Sequence, residues 1–193
     1  MTDWSKLGRR NKDRGKAFER KIAEFLGWRK VPYSGQAASA WGPGDIVDGD
    51  LTSGYWLVEC KTQPRGTENN ISIKDSWITK TIAEAQRSGR FPVLIVNTTR
   101  SKLVDSLVFV PVFALPADKL PDMLPYMQQQ YNVRARGRGI GFVFRRKFID
   151  EEWQAAALVV QRKGDDDRYW LWVVLRLERF RRWVKQSGLE GTI

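Results

Sequence analysis

Apolar positions along the chain alternate with polar ones in two periods, one helical and one extended. Apolar residues recur at helical spacing over residues 15–28 and again over residues 72–88, which predicts two amphipathic helices. Gly27 and Gly89 are expected to end them, because glycine readily adopts the backbone conformation that follows a helix.

The extended stretches predict a sheet. Residues 91–97 are almost continuously apolar, which is typical of a strand covered on both faces. Shorter apolar segments predict further strands at 45–47, 55–62 and 106–115. The rest of the chain predicts a short helix at 116–131, a glycine- and arginine-rich loop at 132–141, and a closing helix at 178–186. The order of elements predicts an α/β fold with a mixed β-sheet core flanked by helices and a β-rich C-terminal extension.

The length of 193 residues suits one large domain, or one domain with an extension. We divide it into a basic N-terminal arm (1–14) that becomes ordered only on binding, a core (15–115), and a C-terminal extension (116–193). The extension is expected either to pack on the core or to form a dimer interface.

The composition excludes several kinds of chemistry. The chain has no histidine and one cysteine, which excludes histidine-based acid/base catalysis, an internal disulfide and a multi-cysteine zinc site. It has no apolar run of membrane-spanning length and no apolar leader segment near its start, so we expect a cytoplasmic protein with no membrane partner. If the source is a virus, the location is the host cytoplasm.

The charge indicates the partner. The chain carries 33 basic and 22 acidic residues, a formal net charge of +11. Such an excess favours a polyanion, with nucleic acid ahead of a membrane surface. A basic protein without a polyanionic partner is the alternative at this point.

The stretch from Trp41 to Lys61 carries the candidate chemistry. Asp45 heads one apolar run, and Glu59 and Lys61 end the next, two residues apart. Alternate residues of a strand share a face, so Glu59 and Lys61 point together while Cys60 points away. If the two runs pair as a hairpin, two carboxylates and an ammonium group meet in one pocket. That set suits a hard divalent cation and a water nucleophile.

This pattern resembles the PD-(D/E)xK nuclease superfamily, with Gly44-Asp45 as the acidic element (glycine replaces the usual proline) and Glu59-Cys60-Lys61 as the (D/E)xK element. More narrowly it is similar to the archaeal and phage type of Holliday junction resolvase, through the helix segment 15–20, Gly-Lys-Ala-Phe-Glu-Arg, and the Ser34-Gly35 loop. The resemblance covers residues 9–97.

The resemblance implies a restriction-endonuclease-like fold and a Mg²⁺-dependent endodeoxyribonuclease, with Mn²⁺ as a substitute. Asp45, Glu59 and the backbone carbonyl of Cys60 would be metal ligands, and Lys61 would orient the attacking water and stabilise the phosphate. Glu19 would hold a metal-bound water or a second metal. From the residues alone, Asp45 could instead cap a turn, and Glu19 could be a solvated helix charge.

Three regions are candidates for DNA contact, and Gln63 is a further candidate for touching phosphate or water. The regions are the basic arm with the start of the first helix, the loop of small residues at 34–39, and the arginine-rich loop at 132–141. The candidate residues in them are Arg9, Arg10, Lys12, Arg14, Lys16, Ser34, Gly35, Gln36, Ser39, Arg134, Arg136 and Arg138. A four-way junction has two equivalent strands to cut, so a homodimer is expected. Two other functions stay open: a restriction-like or repair endonuclease acting on other DNA, and a catalytically silent DNA-binding module.

Overall fold

A computed structural model of the chain describes residues 4–30, 51–52, 54–63, 69–99, 101–115, 118, 130–134, 140–145, 149, 155–161 and 169–190. The described helices and strands are α1 (Trp4–Leu26), β1 (Arg29–Lys30), β2 (Leu51–Thr52), β3 (Trp56–Gln63), β4 (Asn70–Lys74), α2 (Asp75–Arg87), β5 (Phe91–Thr98), β6 (Leu107–Pro111), β7 (Gln130–Arg134), β8 (Ile140–Arg145), β9 (Ala155–Gln161), β10 (Tyr169–Arg176) and α3 (Leu177–Gln186).

The main sheet has eight strands in the order β1-β2-β3-β5-β6-β10-β9-β7. The pairs β3–β5 and β7–β9 are parallel and the other neighbours are antiparallel. β4 and β8 form a separate antiparallel pair. The fold is therefore α/β with a mixed sheet flanked by helices, as the sequence predicts, and the C-terminal strands β9 and β10 extend the same sheet.

Two apolar clusters cover the two faces of the main sheet. The first joins α1 and α3 to alternate residues of the strands, including Val93 and Ile95 of β5. The second joins Ile78 of α2 and the β4–β8 pair to the intervening residues, including Leu94 and Val96. β5 is continuously apolar because both of its faces are buried, as predicted.

Tryptophan packing fixes the start of β3. Trp56 is fully buried and its ring lies 5.5–6.4 Å from those of Trp28, Phe180 and Trp183. Its indole nitrogen donates a 2.9 Å hydrogen bond to the carbonyl of Leu189, just past α3. The C-terminal helix is thereby attached to the strand that carries Glu59.

Both predicted glycine stops are confirmed. Gly27 and Gly89 have φ angles of +73° and +63°. The following amides, of Trp28 and Arg90, donate to carbonyls five residues back. This pattern satisfies the free carbonyls at a helix end and requires the left-handed conformation that glycine adopts without strain.

The N-terminal arm differs from its prediction, because residues 4–14 continue α1. Residues 8–14 are exposed on this helix. A fully solvated helix segment has no apolar stripe, so its sequence lacks the hydrophobic periodicity that predicts a helix. Its lysines and arginines are nevertheless good helix formers.

The second helix begins later than the predicted residue 72. Ile71 and Ile73 belong to β4, paired with β8, and α2 begins only at Asp75. The strand predicted over 106–115 is β6 up to Pro111 and then a short 3₁₀ turn at 112–114.

The two ends of the predicted arginine-rich loop are strands, and its residues 135–139 lie outside the described residues. Its residues 132–134 belong to β7 and residues 140–141 to β8. Residue 131, predicted as the end of a helix, is in β7, whereas 119–129 lie outside the described residues. The predicted strand at 45–47 lies outside them as well.

Candidate active site

The carboxyl end of β3 presents a row of polar side chains to α2. Glu59, Lys61 and Gln63 alternate with Cys60 and Thr62 along the strand, so the first three share one face. Cys60 is buried in the cluster on the α1 side, as predicted for a small apolar side chain. The parallel partner β5 runs beside this row, with Glu59 opposite Leu94.

Glu59 is a buried carboxylate held by two lysines. Its exposed fraction is 1%. Lys61 Nζ donates a hydrogen bond to Oε1, and Lys80 Nζ on α2 lies 3.7 Å from Oε2. A buried carboxylate costs several kcal/mol unless it is paired, so the two ammonium groups offset part of a large desolvation penalty.

Lys80 extends this site to a second carboxylate. Its ammonium group lies 3.5 Å from Oε1 of Glu84, one helical turn further along α2, and Glu84 is itself buried. The formal charges of Glu59, Lys61, Lys80 and Glu84 sum to zero. Sequence analysis missed Lys80 and Glu84, although their i,i+4 spacing on an amphipathic helix was visible.

One oxygen of Glu59 has an ion-pair contact but no hydrogen bond among the described residues. Oε2 is buried and accepts no hydrogen bond from any of the residues that the structure describes. A buried acceptor without a donor is costly in a purely structural role. The same atom is a suitable ligand for a hard cation, which takes carboxylate oxygens.

The Lys61 side chain lies at the boundary between the pocket and solvent. Its side chain is 28% exposed. Its ammonium group lies 6.0 Å from the ring centroid of Trp77, and Lys74 Nζ lies 5.5 Å from the same ring. The aromatic face favours a cation at these distances, so Trp77 helps to keep positive charge at the mouth of the pocket.

The side chain of Gln63 has a structural role, joining two strands. Its side-chain amide donates to the carbonyl of Ser72 and accepts from the amide of Ser72 at 3.3 Å, and the residue is 6% exposed. This pair of hydrogen bonds ties β3 to β4. The side-chain amide that was a candidate for touching phosphate or water is therefore hydrogen-bonded to the backbone of Ser72.

Glu19 is half-buried on α1, with Oε1 beside Gly15 one turn earlier. α1 packs on the sheet face that carries Cys60, whereas Glu59 points to the α2 face. A site that used both carboxylates would have to lie at the end of the sheet.

The remaining site predictions fall in two groups. Arg9, Arg10, Lys12, Arg14 and Lys16 are all exposed on α1. Asp45, Ser34, Gly35, Gln36, Ser39, Arg136 and Arg138 lie outside the described residues, and so does the side chain of Arg134 at the end of β7.

The described part of the chain contains no group of three histidine, cysteine, aspartate or glutamate residues able to hold a metal. None of its helices is long and apolar enough to cross a membrane.

Comparison with known proteins identifies the family. The model of the phage putative PDDEXK endonuclease family matches residues 10–144, more than two thirds of the chain. No curated protein and no solved structure matched. The match confirms the superfamily, and Asp45 and Glu59-Cys60-Lys61 lie within the matched range. The chain belongs to the phage putative PDDEXK endonuclease family.

Proposed function

We propose that this chain is a Mg²⁺-dependent endodeoxyribonuclease that hydrolyses phosphodiester bonds at four-way DNA junctions. The observation that carries the catalytic part is the buried Oε2 of Glu59, which accepts no hydrogen bond from the described residues, while Lys61 donates to Oε1 of the same carboxylate. The family match supports an endonuclease. The junction as substrate rests on the resolvase-like motifs at residues 15–20 and 34–35.

In this proposal Asp45, Glu59 and the carbonyl of Cys60 hold the metal, with Mn²⁺ able to replace Mg²⁺. The direction of β2 supports the participation of Asp45. Leu51 pairs with Val58 and Thr52 with Leu57, so the N-terminal end of β2 lies toward Glu59. The formal charges of Glu59, Lys61, Lys80 and Glu84 sum to zero, so a dication needs further negative charge, which Asp45 and the substrate phosphate would supply.

Bound Mg²⁺ supplies Lewis acidity toward the scissile phosphate. Glu59 fixes the ion in place because the carboxylate is itself fixed by burial and by Lys61. Lys61 positions the attacking water and donates to the negative charge that develops on the phosphate. Lys80 helps to hold the Glu59 side chain in position through its 3.7 Å contact with Oε2. Glu19 is assigned to a metal-bound water or a second metal.

The DNA-binding part of the proposal uses the exposed start of α1. Eleven helical residues, 4–14, extend about 16 Å at 1.5 Å per residue. This segment carries the exposed Arg9, Arg10, Lys12 and Arg14. Contacts from these residues to phosphates would make affinity fall steeply with salt, and a weak salt dependence would contradict them.

The junction has two equivalent strands, so we propose a two-fold dimer. Described apolar residues that are available for an interface include Phe113, which is 53% exposed. The mass of the protein in solution, measured by light scattering with and without DNA, tests this point.

The function is tested by cleavage of a labelled four-way junction, a flap and a plain duplex, each with MgCl₂ and with EDTA. Paired symmetric cuts on the junction alone, dependent on Mg²⁺, are the expected result. Cleavage of the flap or duplex with the junction left intact would refute the junction and keep the nuclease. Absence of cleavage on all three DNAs would refute the enzyme and leave a silent binding module.

A further inference from the structure

A pocket of about 230 Å³ lies on the α1 side of the main sheet, behind the candidate active site. It is lined by Arg14, Ala17, Phe18 and Lys21 of α1, by Thr62, Asn97 and Thr98 at the ends of β3 and β5, and by Thr99, Ser101 and Leu103 after β5. β3 and β5 are parallel, with Thr62 opposite Asn97. The pocket therefore sits at their shared carboxyl end, where open α/β sheets bind ligands.

The chemistry of the pocket suits an anion. Arg14 and Lys21 are seven residues apart, two helical turns, so they project from the same side of α1. Both are exposed, and the described lining residues include no carboxylate. Two cations at one small concavity favour a ligand with negative charge.

Hydroxyl groups add neutral donors. Thr62 is exposed on β3, pointing away from Lys61. Thr98 and Ser101 share one hydrogen bond between their hydroxyls, so one of the two protons stays available to a ligand. The hydroxyl of Thr99 donates to the carbonyl of Gln63 and can only accept.

Backbone contacts hold the loop in place. Asn97 donates to the carbonyl of Lys102 at 3.2 Å and accepts from the amide of Thr98 at 2.8 Å. The amide of Thr99 donates to Gln63 at 2.8 Å, and that of Ser101 to Thr98 at 3.1 Å. These contacts fix the pocket before a ligand arrives, which lowers the entropic cost of binding.

We infer that this pocket binds a backbone phosphate of the DNA strand, separate from the phosphate that is cut. Its volume is below the roughly 300–1,000 Å³ of sites that enclose drug-sized ligands, and suits one phosphate group. Lys61 and Thr62 are consecutive and point to opposite faces of β3. A strand passing the end of β3 would present one phosphate to Lys61 and a neighbouring one to Arg14 and Lys21. This inference rests on the proposed function.

The test measures binding of a fluorescein-labelled DNA duplex by anisotropy in EDTA, across a series of NaCl concentrations. Arg14→Gln and Lys21→Gln are each expected to weaken binding about tenfold, the effect of losing one charge-assisted hydrogen bond. The double variant is expected to lower the slope of log K against log[NaCl] by about 0.9, the value for one phosphate. Thr62→Val should weaken binding a few-fold and leave the slope unchanged, because it removes a neutral donor.

The controls carry the same substitutions outside the pocket. Arg182→Gln removes an exposed arginine on α3 that pairs with Glu178, and Lys185→Gln an exposed lysine on α3 that pairs with Glu190. If the Arg14 and Lys21 variants match these controls in affinity and slope, the inference is overturned. A slope change near 1.8 for the double variant would mean two separate phosphates, and would also overturn it.

Inorganic phosphate distinguishes the source of the ligand. At matched ionic strength, phosphate should displace DNA from the wild-type protein better than chloride does, and this advantage should vanish in the double variant. Phosphate binding that depends on Lys21 together with unchanged DNA affinity would assign the pocket to a free anion, against the inference. If the wild-type protein neither binds nor cuts DNA, the proposed function fails first, which is a different result.

Discussion

Replacing Glu59 by glutamine separates the catalytic role of this carboxylate from any structural one. The substitution keeps the size and shape of a side chain that is 1% exposed. It removes the charge that faces Lys61 and Lys80. We expect cleavage to be abolished while the folded structure and DNA binding persist.

The stability change is a balance of opposing terms. The variant loses a charge-assisted hydrogen bond from Lys61, about 1.5–3 kcal/mol, and a pairing with the half-exposed Lys80 below about 1 kcal/mol. It is relieved of a buried carboxylate whose desolvation costs several kcal/mol. Lys61 and Lys80 are 28% and 50% exposed and can turn to water. We therefore expect the free energy of unfolding to change by no more than about 1 kcal/mol.

Urea denaturation with and without MgCl₂ checks both roles. At ten times its Kd, Mg²⁺ should stabilise the wild-type protein by about 1.4 kcal/mol, and this gain should be absent in Glu59→Gln. Glu178→Gln on α3 is the matched control, since Glu178 is an exposed partner of Arg182 at 3.6 Å. A loss of more than about 3 kcal/mol would show a mainly structural carboxylate. Equal Mg²⁺ stabilisation of variant and wild type would refute Glu59 as a ligand.

Three other changes test neighbouring parts of the structure. Lys61→Met keeps an unbranched side chain near Trp77 and should lower the cleavage rate of DNA saturated with protein about 10²–10³-fold, as for loss of one donor to a developing negative charge; near-normal cleavage would contradict the assignment. Gln63→Leu leaves the amide and carbonyl of Ser72 unpaired, so urea denaturation should show a loss of about 1–3 kcal/mol; unchanged stability with weaker DNA binding would favour the original phosphate-contact prediction. Gly8→Ala adds a Cβ with no atom within 4 Å, and should stabilise α1 by about 0.5–1 kcal/mol and raise helicity by circular dichroism; no change in helicity would contradict a helical residue 8.

Features set by local pattern were predictable from the sequence. The alternation of side chains in a strand places Glu59 and Lys61 on one face and Cys60 on the other. The continuous apolar run of β5 indicates two covered faces, and Gly27 and Gly89 mark the two helix ends. Each of these follows from a rule that acts within a few residues.

Features set by tertiary partners were not predictable. Ile73 fits either a strand or the start of a helix, and pairing of β4 with β8 decides between them. Gln63 shares its face with Lys61, but its amide is engaged because β4 happens to run beside it. The contact of Lys80 with Glu59 exists only because α2 packs over β3, which the sequence does not show.

The chain order from β3 through α2 to β5 explains how a buried carboxylate obtains two lysines. Parallel strands need a crossover, and α2 provides it on the face to which Glu59 points. Lys61 provides one ammonium group from the same strand, two residues after Glu59. Lys80 provides the other from the crossover helix α2. α1 covers the opposite face and brings Arg14 and Lys21 to Thr62. The carboxyl end of β3 therefore takes part in both proposed functions. Lys61 acts in phosphate hydrolysis on one face of the strand, and Thr62 lines the phosphate-binding pocket on the other.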